Sequence, residues 1–287
     1  MNNIIILLGQ RVRSGTNFVG STLSMHPDVI TLPSNVSFGE FNLFRDRSII
    51  DTCFKNISET SFGMDINNND LDLFLELYGE QWLRLLIKKH KVPVGKTIFI
   101  KSYVIDNVDL WKKAFPNSKI AIITRDGRDN VISSIKASND HRNWHSHIVR
   151  LKKRVNYYSG RLFLNHTKHW VKTAKSVLDI EEDMYINKFK YEYLNNSYDN
   201  IKTLLKFYDL ATNDTIVKTC LNAPVVGSSF GIDTNEVTKP NWTPESDKSK
   251  FKFSGKWTHW SFFKKAIFKI IAGQALIKLN YEKSTHW

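Results

Sequence analysis

The sequence predicts an α/β fold in which a parallel central sheet is flanked by helices. Three observations support this expectation: several short segments are continuously apolar, each is followed by a segment with helical periodicity, and no linker divides the 287 residues. Continuous apolar strands are typical of parallel sheets, because both faces of such strands are covered. We therefore expect a single domain over residues 1–287, a length that one core can serve.

The strands are expected where apolar or β-branched residues run together, at residues 4–8, 97–100, 120–124 and about 185–191. Between and after them, apolar residues recur at three- and four-residue spacing, the period of an amphipathic helix. The expected helices cover residues 16–25, 71–89, 107–115, 129–137, 163–178, 197–208 and 261–280. His26-Pro27 ends the first helix, because the residue before a proline avoids the α region.

The composition excludes a disordered chain, a disulfide framework and a zinc site built on thiolates. Hydrophobic residues make up 41% of the chain, too many for disorder. The two cysteines, Cys53 and Cys220, are too few for a framework or a thiolate site. No apolar run approaches the roughly 20 residues that span a bilayer. Residues 4–8 lack a basic leader and a cleavage site, so we expect a buried strand there and a cytoplasmic protein.

The basic charge is concentrated in two parts of the chain. The net charge is +13, and residues 136–175 hold ten Lys and Arg residues and one acidic residue. Residues 239–287 hold ten Lys residues and three acidic residues. Such runs fit a solvated basic face, a nucleic-acid surface, or a pocket for a small ligand with several negative charges. Charge by itself does not decide among these three.

The loop after the first strand is the most informative segment. It reads Gly-Gln-Arg-Val-Arg-Ser-Gly-Thr-Asn-Phe over residues 9–18 and opens the first helix. Main-chain N–H groups and the helix dipole favour an anion at such a junction. Ser14 and Thr16 can add hydroxyl donors, and Arg13 can neutralise the charge of a ligand. The ATPase pattern G-x-x-x-x-G-K-[ST] is absent, because no lysine precedes Thr16. An ordinary turn from strand to helix is the alternative.

A second loop of this kind follows the strand expected at residues 120–124. It reads Arg125-Asp-Gly-Arg-Asp-Asn-Val-Ile-Ser133 and leads into a helix. In open α/β sheets, ligands bind at the carboxyl ends of the strands, where Arg125 is expected. Ser133 lies early in the helix, and an arginine and a hydroxyl together suit one phosphate group. A helix N-terminus with solvated charges is the alternative.

Taken together, the two loops resemble the phosphate-binding motifs of the sulfotransferases that use 3′-phosphoadenosine 5′-phosphosulfate (PAPS). In that family the first loop binds the 5′-phosphosulfate. An arginine and a serine eight residues apart, the spacing of Arg125 and Ser133, bind the 3′-phosphate. Three weaker segments follow in the family's order: Tyr-Glu-Tyr-Leu at 191–194, Ser-Gly-Lys-Trp at 254–257 and a closing helix at 272–281. The resemblance is nearer to the bacterial and carbohydrate-modifying members and implies their P-loop-like fold.

The resemblance implies an enzyme that moves the sulfuryl group of PAPS to a hydroxyl, or an amine, by in-line displacement. Adenosine 3′,5′-bisphosphate (PAP) is the product, and no metal is required. The implied donor-binding residues are Arg13, Ser14, Gly15, Thr16, Asn17, Phe18, Arg125, Ser133, Tyr191, Gly255 and Lys256. Of these, Lys256 and the backbone at Gly255 are expected at the 3′-phosphate. Tyr191 and Trp257 are expected either to stack on the nucleoside or to fill the core.

Three catalytic residues are also implied by the resemblance, and they are Arg13, Glu40 and Lys101. Arg13 takes the position of a family lysine near the leaving group, and it remains charged at neutral pH. Lys101 matches a lysine that contacts the transferred group, unless it is a solvated strand-end lysine. Many cytosolic members next carry a histidine base, but Tyr103 stands here, and tyrosine is a poor base. Glu40 matches the glutamate base of carbohydrate-modifying members, in a segment that also contains the aromatic residues Phe38, Phe41 and Phe44.

The acceptor expected from Glu40 and from the missing histidine is a saccharide hydroxyl, in a glycan or a small molecule. His141, His145 and His147 have a spacing that suits a metal, but neighbouring arginines oppose a cation there. We expect these histidines in an acceptor-binding loop or a solvated one. The polar segment at residues 227–252 is expected to form a lid or an ordered loop of the active site.

Two other functions fit parts of the sequence. A nucleotide kinase with a degenerate phosphate loop would share the first loop, but the missing Walker lysine and the Arg125–Ser133 pair oppose it. A nucleic-acid-binding protein without catalysis would use residues 136–175 as its electrostatic surface. We expect no nucleic-acid partner, because neither alternative accounts for both loops.

Overall fold

A computed structural model describes residues 3–32, 39–61, 63–138, 146–195, 197–226 and 244–287. In this part of the chain a five-stranded sheet has the order β2-β3-β1-β4-β5, and all neighbouring strands are parallel. The strands are β1 (Ile4–Gly9), β2 (Val29–Thr31), β3 (Thr97–Ser102), β4 (Lys119–Thr124) and β5 (Ile186–Lys190). The predicted α/β fold class is confirmed, with β1 at the centre of the sheet.

Helices connect the strands and cover the sheet. The α-helices of the described residues are α1 (Thr16–Ser24), α2 (Arg47–Thr60), α3 (Leu71–His90), α4 (Val108–Ala114), α5 (Gly127–Ser138), α6 (His147–Tyr158), α7 (Arg161–Asp179), α8 (Tyr191–Leu194), α9 (Tyr198–Phe207), α10 (Asp214–Leu221) and α11 (Phe262–Lys278). Among these helices, none is long and apolar enough to cross a bilayer.

The predicted strands and helices are all present, but four helices and a strand were not predicted. Strand β2 has three residues, and α8 is a single turn, so neither leaves a periodic pattern. Only Ile50 and Phe54 of α2 are buried, and no residue of α6 is buried. These two helices therefore contribute few side chains to the core. Helix α10 is short, at eight residues. Tyr191, expected at the end of β5, instead begins α8.

The two faces of the sheet carry separate cores, which is why its strands are continuously apolar. On β1, the side chains of Ile6 and Leu8 pack into a core with α3, α4, α7 and α11. The intervening side chains of Ile5 and Leu7 pack into a second core with α1, α9 and α10. Successive strand residues point to opposite faces, so both sets must be apolar.

The strand registers bring three loops to one edge of the sheet. Leu8 of β1 pairs with Ser102 of β3, and Gly9 pairs with Ile123 of β4. The carboxyl ends of parallel strands therefore lie side by side, and α1 and α5 begin at that edge. This is the edge where open α/β sheets bind ligands.

Helix α7 supports the second loop from behind. The indole N–H of Trp170 donates a hydrogen bond to the carbonyl oxygen of Arg125, at 3.1 Å. The same ring lies against Gly127, where a Cβ would be 2.5 Å from Trp170 Cδ2. Glycine is therefore required at this position, because the backbone and the indole approach too closely for any side chain.

Candidate active site

A cavity of about 510 Å³ opens at the carboxyl edge of β1, β3 and β4. This volume is in the range of pockets for nucleotide-sized ligands. Ten of the predicted site residues line the cavity: Arg13, Gly15, Thr16, Asn17, Phe18, Glu40, Arg125, Ser133, Tyr191 and Lys256. The other three predicted residues, Ser14, Lys101 and Gly255, lie outside this lining. The structure thus brings both loops to one cavity.

The loop between β1 and α1 is held in a conformation with two positive φ angles. Arg13 has φ 70° and Gly15 has φ 98°. A Cβ on Gly15 would lie 2.2 Å from Cδ2 of Tyr191, so glycine is needed for space as well as for its φ angle. The Ser14 hydroxyl, expected to face a ligand, instead accepts a hydrogen bond from the N–H of Arg11 at 3.2 Å. The hydroxyl closes the loop on itself.

Helix α1 begins without a side-chain cap. Gly15 is its N-cap residue and has no side chain to satisfy the first N–H groups of the helix. Thr16 and Asn17, in the first turn, line the cavity. Free N–H groups and the positive end of the helix dipole therefore face the cavity, which is the arrangement that binds anions.

Arg11 anchors this loop to α7 from its buried side. Its guanidinium donates to the carbonyl oxygen of His166 at 2.8 Å and lies 3.1 Å from Nδ1 of the same residue. Burial lowers the pKa of His166 to about 4, and the charge of Arg11 acts in the same direction. His166 is therefore neutral at physiological pH, and its Nδ1 can accept the hydrogen bond from Arg11.

Arg13, Arg125 and Ser133 form one cluster in the cavity wall. Nε of Arg13 donates to the Ser133 hydroxyl at 3.1 Å, and Nη1 of Arg125 donates to the carbonyl oxygen of Arg13 at 2.8 Å. Nη2 of Arg125 donates to the carbonyl oxygen of Phe253 at 3.0 Å. Burial lowers the pKa of Arg13, and so does the neighbouring charge of Arg125. Two guanidinium groups held this close are electrostatically unfavourable until an anion joins them.

Lys256 lines the cavity, but its backbone and that of Gly255 are already engaged. The N–H groups of Gly255 and Lys256 each donate to the carboxylate of Asp129 at 2.7 Å. The expectation that the Gly255 backbone is available to a phosphate is therefore not met in this structure, because Asp129 occupies it. The Lys256 side chain remains at the cavity, and burial lowers its pKa.

Trp257 packs on an arginine instead of lining the cavity. The guanidinium of Arg128 lies 3.8 Å from the centroid of the Trp257 ring and 4.5 Å from that of Trp287. The same guanidinium contacts the carboxylates of Asp126 at 2.6 Å and Glu282 at 2.5 Å. The expected stacking of Trp257 on a nucleoside does not fit this arrangement, because its ring contributes to a closed structural cluster.

Tyr191 forms a buried aromatic wall behind the first loop. Its ring contacts Phe18 with centroids 5.6 Å apart, and Arg125 lies over it at 4.7 Å. Burial raises the pKa of the Tyr191 phenol to about 12, so it is neutral at physiological pH. The ring is part of the core, which is one of the two alternatives foreseen for Tyr191, and it also lines the cavity.

Lys101 and Glu40 form an ion pair at the end of β3. The Lys101 side chain is fully buried, and its Nζ donates to Glu40 Oε1 at 3.1 Å and to Oδ1 of Asn17. Burial lowers the pKa of Lys101, an effect that the Glu40 charge opposes. Of the aromatic residues expected around Glu40, Phe41 packs on Trp82 and Phe44 packs on Trp111. Phe38 lies outside the described residues.

Tyr103, at the position of the missing histidine, also lines the cavity. Its hydroxyl accepts a hydrogen bond from Nη1 of Arg45 at 3.2 Å. The cavity wall opposite the phosphate loops thus holds Glu40 and Tyr103.

Seven residues that line the cavity were not among the predicted site residues: Val12, Tyr103, Val225, Val226, Phe251, Lys252 and Phe253. The alternation of aromatic and basic residues directly before Gly255 was a usable signal for the last three. Val225 pairs with Glu245 in an isolated antiparallel bridge, a contact across the polar segment that no local pattern predicts. Most of the expected lid, residues 227–243, lies outside the described part of the chain.

The three histidines expected in an acceptor-binding or solvated loop are only partly described. His141 and His145 lie outside the described residues, and His147 begins α6. Within the described ranges, no group of three or more His, Cys, Asp or Glu side chains is arranged to hold a metal ion. Cys53 is exposed, Cys220 is buried, and both are free thiols.

Comparisons with known proteins agree with this geometry. A model of the sulfotransferase family matches residues 5–211. No curated protein sequence matches this one significantly. Among solved structures, a sulfotransferase domain of the Synechococcus PCC 7002 olefin synthase has a TM-score of 0.54 at 11% identity, over 98% of this chain and 96% of that one.

Two further structures have the same fold at similar distance. A sulfotransferase from Alicyclobacillus acidocaldarius has a TM-score of 0.52 at 12% identity, over 98% of this chain and 95% of that one. Mouse sulfotransferase SULT7A1, solved with PAP, has a TM-score of 0.50 at 13% identity, over 96% of this chain and 84% of that one. At these identities the likeness establishes the fold, whereas the family match covers both phosphate loops and β5. The chain belongs to the sulfotransferase family, and the predicted reaction class, sulfuryl transfer, is confirmed.

Proposed function

We propose that the cavity binds PAPS and that the enzyme transfers its sulfuryl group to a hydroxyl of a saccharide acceptor. The observation that carries this proposal is the convergence of four cationic side chains and the uncapped start of α1 on one cavity, the cations being Arg13, Arg125, Lys252 and Lys256. PAPS carries about four negative charges: about two on the 3′-phosphate monoester, and one each on the phosphate and the sulfate of the 5′-phosphosulfate. The mouse relative that shares the fold was solved with PAP.

The two phosphate-bearing ends of the donor suit two parts of the cavity. Arg125, Ser133 and Lys256 supply charge and a hydroxyl for the 3′-phosphate. Gly15, Thr16 and Asn17 present the first turn of α1 to the 5′-phosphosulfate. Phe18 and Tyr191 give an apolar wall beside the nucleoside. Ser14 and Gly255 contribute to this site through the shape of their loops.

The proposed chemistry is an in-line displacement at sulfur. The acceptor oxygen forms a bond to sulfur, the bond from sulfur to the 5′-phosphate oxygen breaks, and the electron pair leaves with PAP. Arg13 stabilises the negative charge that develops on that leaving oxygen. It does so without giving up a proton, since a guanidinium stays protonated at neutral pH.

We assign the removal of the acceptor proton to Glu40. Its carboxylate lines the cavity and is held by Lys101, so the base is fixed in position by a buried charge. Lys101 also donates to Asn17 in the first turn of α1, which ties the base to the donor loop. We therefore place Lys101 behind Glu40 and Asn17 as a positioning residue, although the sequence suggested a direct contact with the transferred group.

The saccharide acceptor is supported by the glutamate at this position and by the poor basicity of Tyr103. We further propose that residues 1–287 act as a single domain, since the closing helix α11 packs on α7 and α5 at the back of the site. A cytoplasmic location is consistent with two free cysteines, which are usual in reducing compartments.

Calorimetric titration with PAP, 5′-AMP and ATP tests the donor site. We expect PAP to bind most tightly and Arg125→Ala to weaken it by roughly 10- to 100-fold, the value of a charged hydrogen bond. Arg84→Ala, an exposed arginine on α3, is the matched control and should bind PAP like the wild type. Equal affinity for all three nucleotides would contradict a donor site for PAPS.

Sulfuryl transfer from PAPS to a panel of saccharides tests the base. Glu40→Gln should lower kcat by about 100-fold or more, the contribution of a general base, while leaving PAP affinity unchanged. If Glu40→Gln keeps full activity while Tyr103→Phe loses it, the base is Tyr103. Transfer to simple phenols but to no saccharide would contradict the acceptor class.

A further inference from the structure

Helix α6 leaves an apolar stripe in solvent. Ile148, Leu151, Val155 and Tyr158 follow one another at three- and four-residue spacing and therefore lie on one side of the helix. Their exposures are 81%, 66%, 51% and 82%. No residue of α6 is buried, so the stripe is not used by the core. Exposed apolar stripes of this size usually mark an interaction surface.

Helix α11 carries a second exposed stripe. On its inner side, Phe268, Ala272 and Leu276 are buried. Its outer side nevertheless presents Phe263 and Ile270, exposed by 76% and 85%, at the seven-residue spacing that places them on one side. Phe262 is also exposed, next to Phe263 at the start of the helix.

The C-terminal end of α6 and the N-terminal end of α11 both lie at the start of α7. Helix α6 ends at Tyr158, and α7 begins three residues later, at Arg161. In the first turn of α7, Phe163 packs on Trp260, with ring centroids 5.3 Å apart, and α11 begins two residues after Trp260. The end of α6 and the start of α11 are therefore neighbours, and we call them together the apolar–basic face.

The charges around these stripes have a single sign. Residues 146–178 contain eight Lys and Arg residues and no acidic residue, and residues 251–281 contain six Lys residues and no acidic residue. Arg150, Lys152 and Arg154 are exposed on α6, and Lys264 is exposed beside the two phenylalanines of α11. A second copy of this chain would bring like charges together here, which disfavours self-association.

We propose that the apolar–basic face binds the surface of an anionic lipid bilayer. Helices with exposed aromatic and aliphatic stripes and basic flanks lie in the membrane interface, with apolar side chains at the headgroup boundary. Lysine and arginine near an anionic leaflet add about 1 kcal/mol each. The face thereby places the enzyme at the membrane surface without a spanning helix, and this inference is independent of the acceptor and of the catalytic base.

Vesicle flotation tests the proposal with the full chain. We expect flotation with vesicles of phosphatidylcholine and phosphatidylglycerol in equal amounts, and little with phosphatidylcholine alone. Binding should weaken as salt is raised, because the charges lie at the surface. Equal flotation with both kinds of vesicle would overturn the proposal. Absence of flotation with both would also overturn it, and would leave an acidic protein as the partner of this face.

Two sets of variants locate the binding surface. Tyr158→Ser with Phe263→Ser should lower the affinity for anionic vesicles by about 10-fold or more, from the apolar area withdrawn. Arg150→Gln with Arg154→Gln should lower it by about 5-fold for each charge removed. Two double variants at exposed positions on and just after α3 are the matched controls and should bind like the wild type. The apolar control is Val94→Ser with Leu85→Ser, and the basic control is Lys88→Gln with Lys89→Gln.

The controls must share the folding and ligand binding of the wild type. All variants should keep the thermal unfolding midpoint and the PAP affinity of the wild type, because none lines the cavity. If the surface variants float like the controls, the proposal fails. If the wild type sediments as a dimer that Tyr158→Ser with Phe263→Ser dissociates, the face is a contact between copies and the proposal also fails.

Discussion

Arg125 and Arg128 both follow strand β4, but their surroundings differ. Arg125 lines the cavity, and its two terminal nitrogens donate to main-chain carbonyl groups. Within the described residues, its buried Nε has no hydrogen-bond partner. Arg128 is held by two carboxylates and lies between the rings of Trp257 and Trp287. One guanidinium keeps its charge available to an anion, whereas the other is neutralised by the protein.

The comparison shows how to tell a binding cation from a structural one in a basic protein. Sequence position does not distinguish them, because the two arginines belong to the same short motif. The groups that pair with each guanidinium do distinguish them. Arg128 forms ion pairs with Asp126 and Glu282, whereas Arg125 donates hydrogen bonds to neutral carbonyl groups. The following predictions test this difference, beginning with the largest expected effect.

Arg128→Met should lower the free energy of unfolding by about 3–5 kcal/mol, because it leaves Asp126 buried without its partner. Urea unfolding followed by circular dichroism measures the change. PAP affinity, measured at urea concentrations well below the unfolding midpoint, should stay within about 2-fold of the wild-type value. The loss of a direct hydrogen bond to PAP would lower the affinity by more than about 2-fold. A variant that unfolds like the wild type but loses PAP would place Arg128 in the binding site.

Glu192 contacts the same motif at Asp126, and its carboxyl is expected to titrate near neutral pH. Its Oε1 accepts from the N–H of Asp126 at 2.9 Å, and burial raises the pKa of the carboxyl to about 7. The folded state therefore holds this proton more tightly than the unfolded chain does. The associated stability is complete at pH values below the ordinary carboxyl pKa, and it is lost as pH rises through 7.

Glu192→Gln keeps the acceptor to Asp126 but removes this titration. Relative to the wild type, the variant should gain roughly 2–3 kcal/mol of unfolding free energy between pH 4.5 and pH 8. Urea unfolding of both proteins at several pH values gives the difference. A difference that does not change with pH would show that the Glu192 carboxyl titrates normally.

Ser133→Ala should have the smallest effect, about 5-fold weaker PAP binding, the value of one hydrogen bond of about 1 kcal/mol. The hydroxyl accepts from Nε of Arg13, so the substitution also removes that hydrogen bond. Ser134→Ala is a demanding control, because this neighbouring hydroxyl is buried beside Asn130 and lies outside the cavity lining. Equal losses in both variants would indicate a general disturbance of α5.

The sequence by itself determined the sheet, the two loops and the family. Continuous apolar runs specify strands covered on both faces, and the strands at 4–9 and 119–124 bring their following loops to one edge. Gly15 was among the predicted residues, and the structure gives the reason: only glycine suits its φ angle and the closeness of the Tyr191 ring. These features depend on local residue type and on the geometry that all parallel sheets share, so ten of the thirteen predicted site residues line the cavity.

The tertiary structure alone decided which polar groups the protein uses for itself. Ser14 closes its own loop, Asp129 takes the N–H groups of Gly255 and Lys256, and Trp257 stacks on Arg128. The partners of Asp129 and of Arg128 lie up to 129 residues away in sequence, as for Arg128 and Trp257, and no local pattern encodes them. Most buried polar groups pair with a donor or acceptor, and the choice of partner depends on which groups the fold brings within about 3 Å.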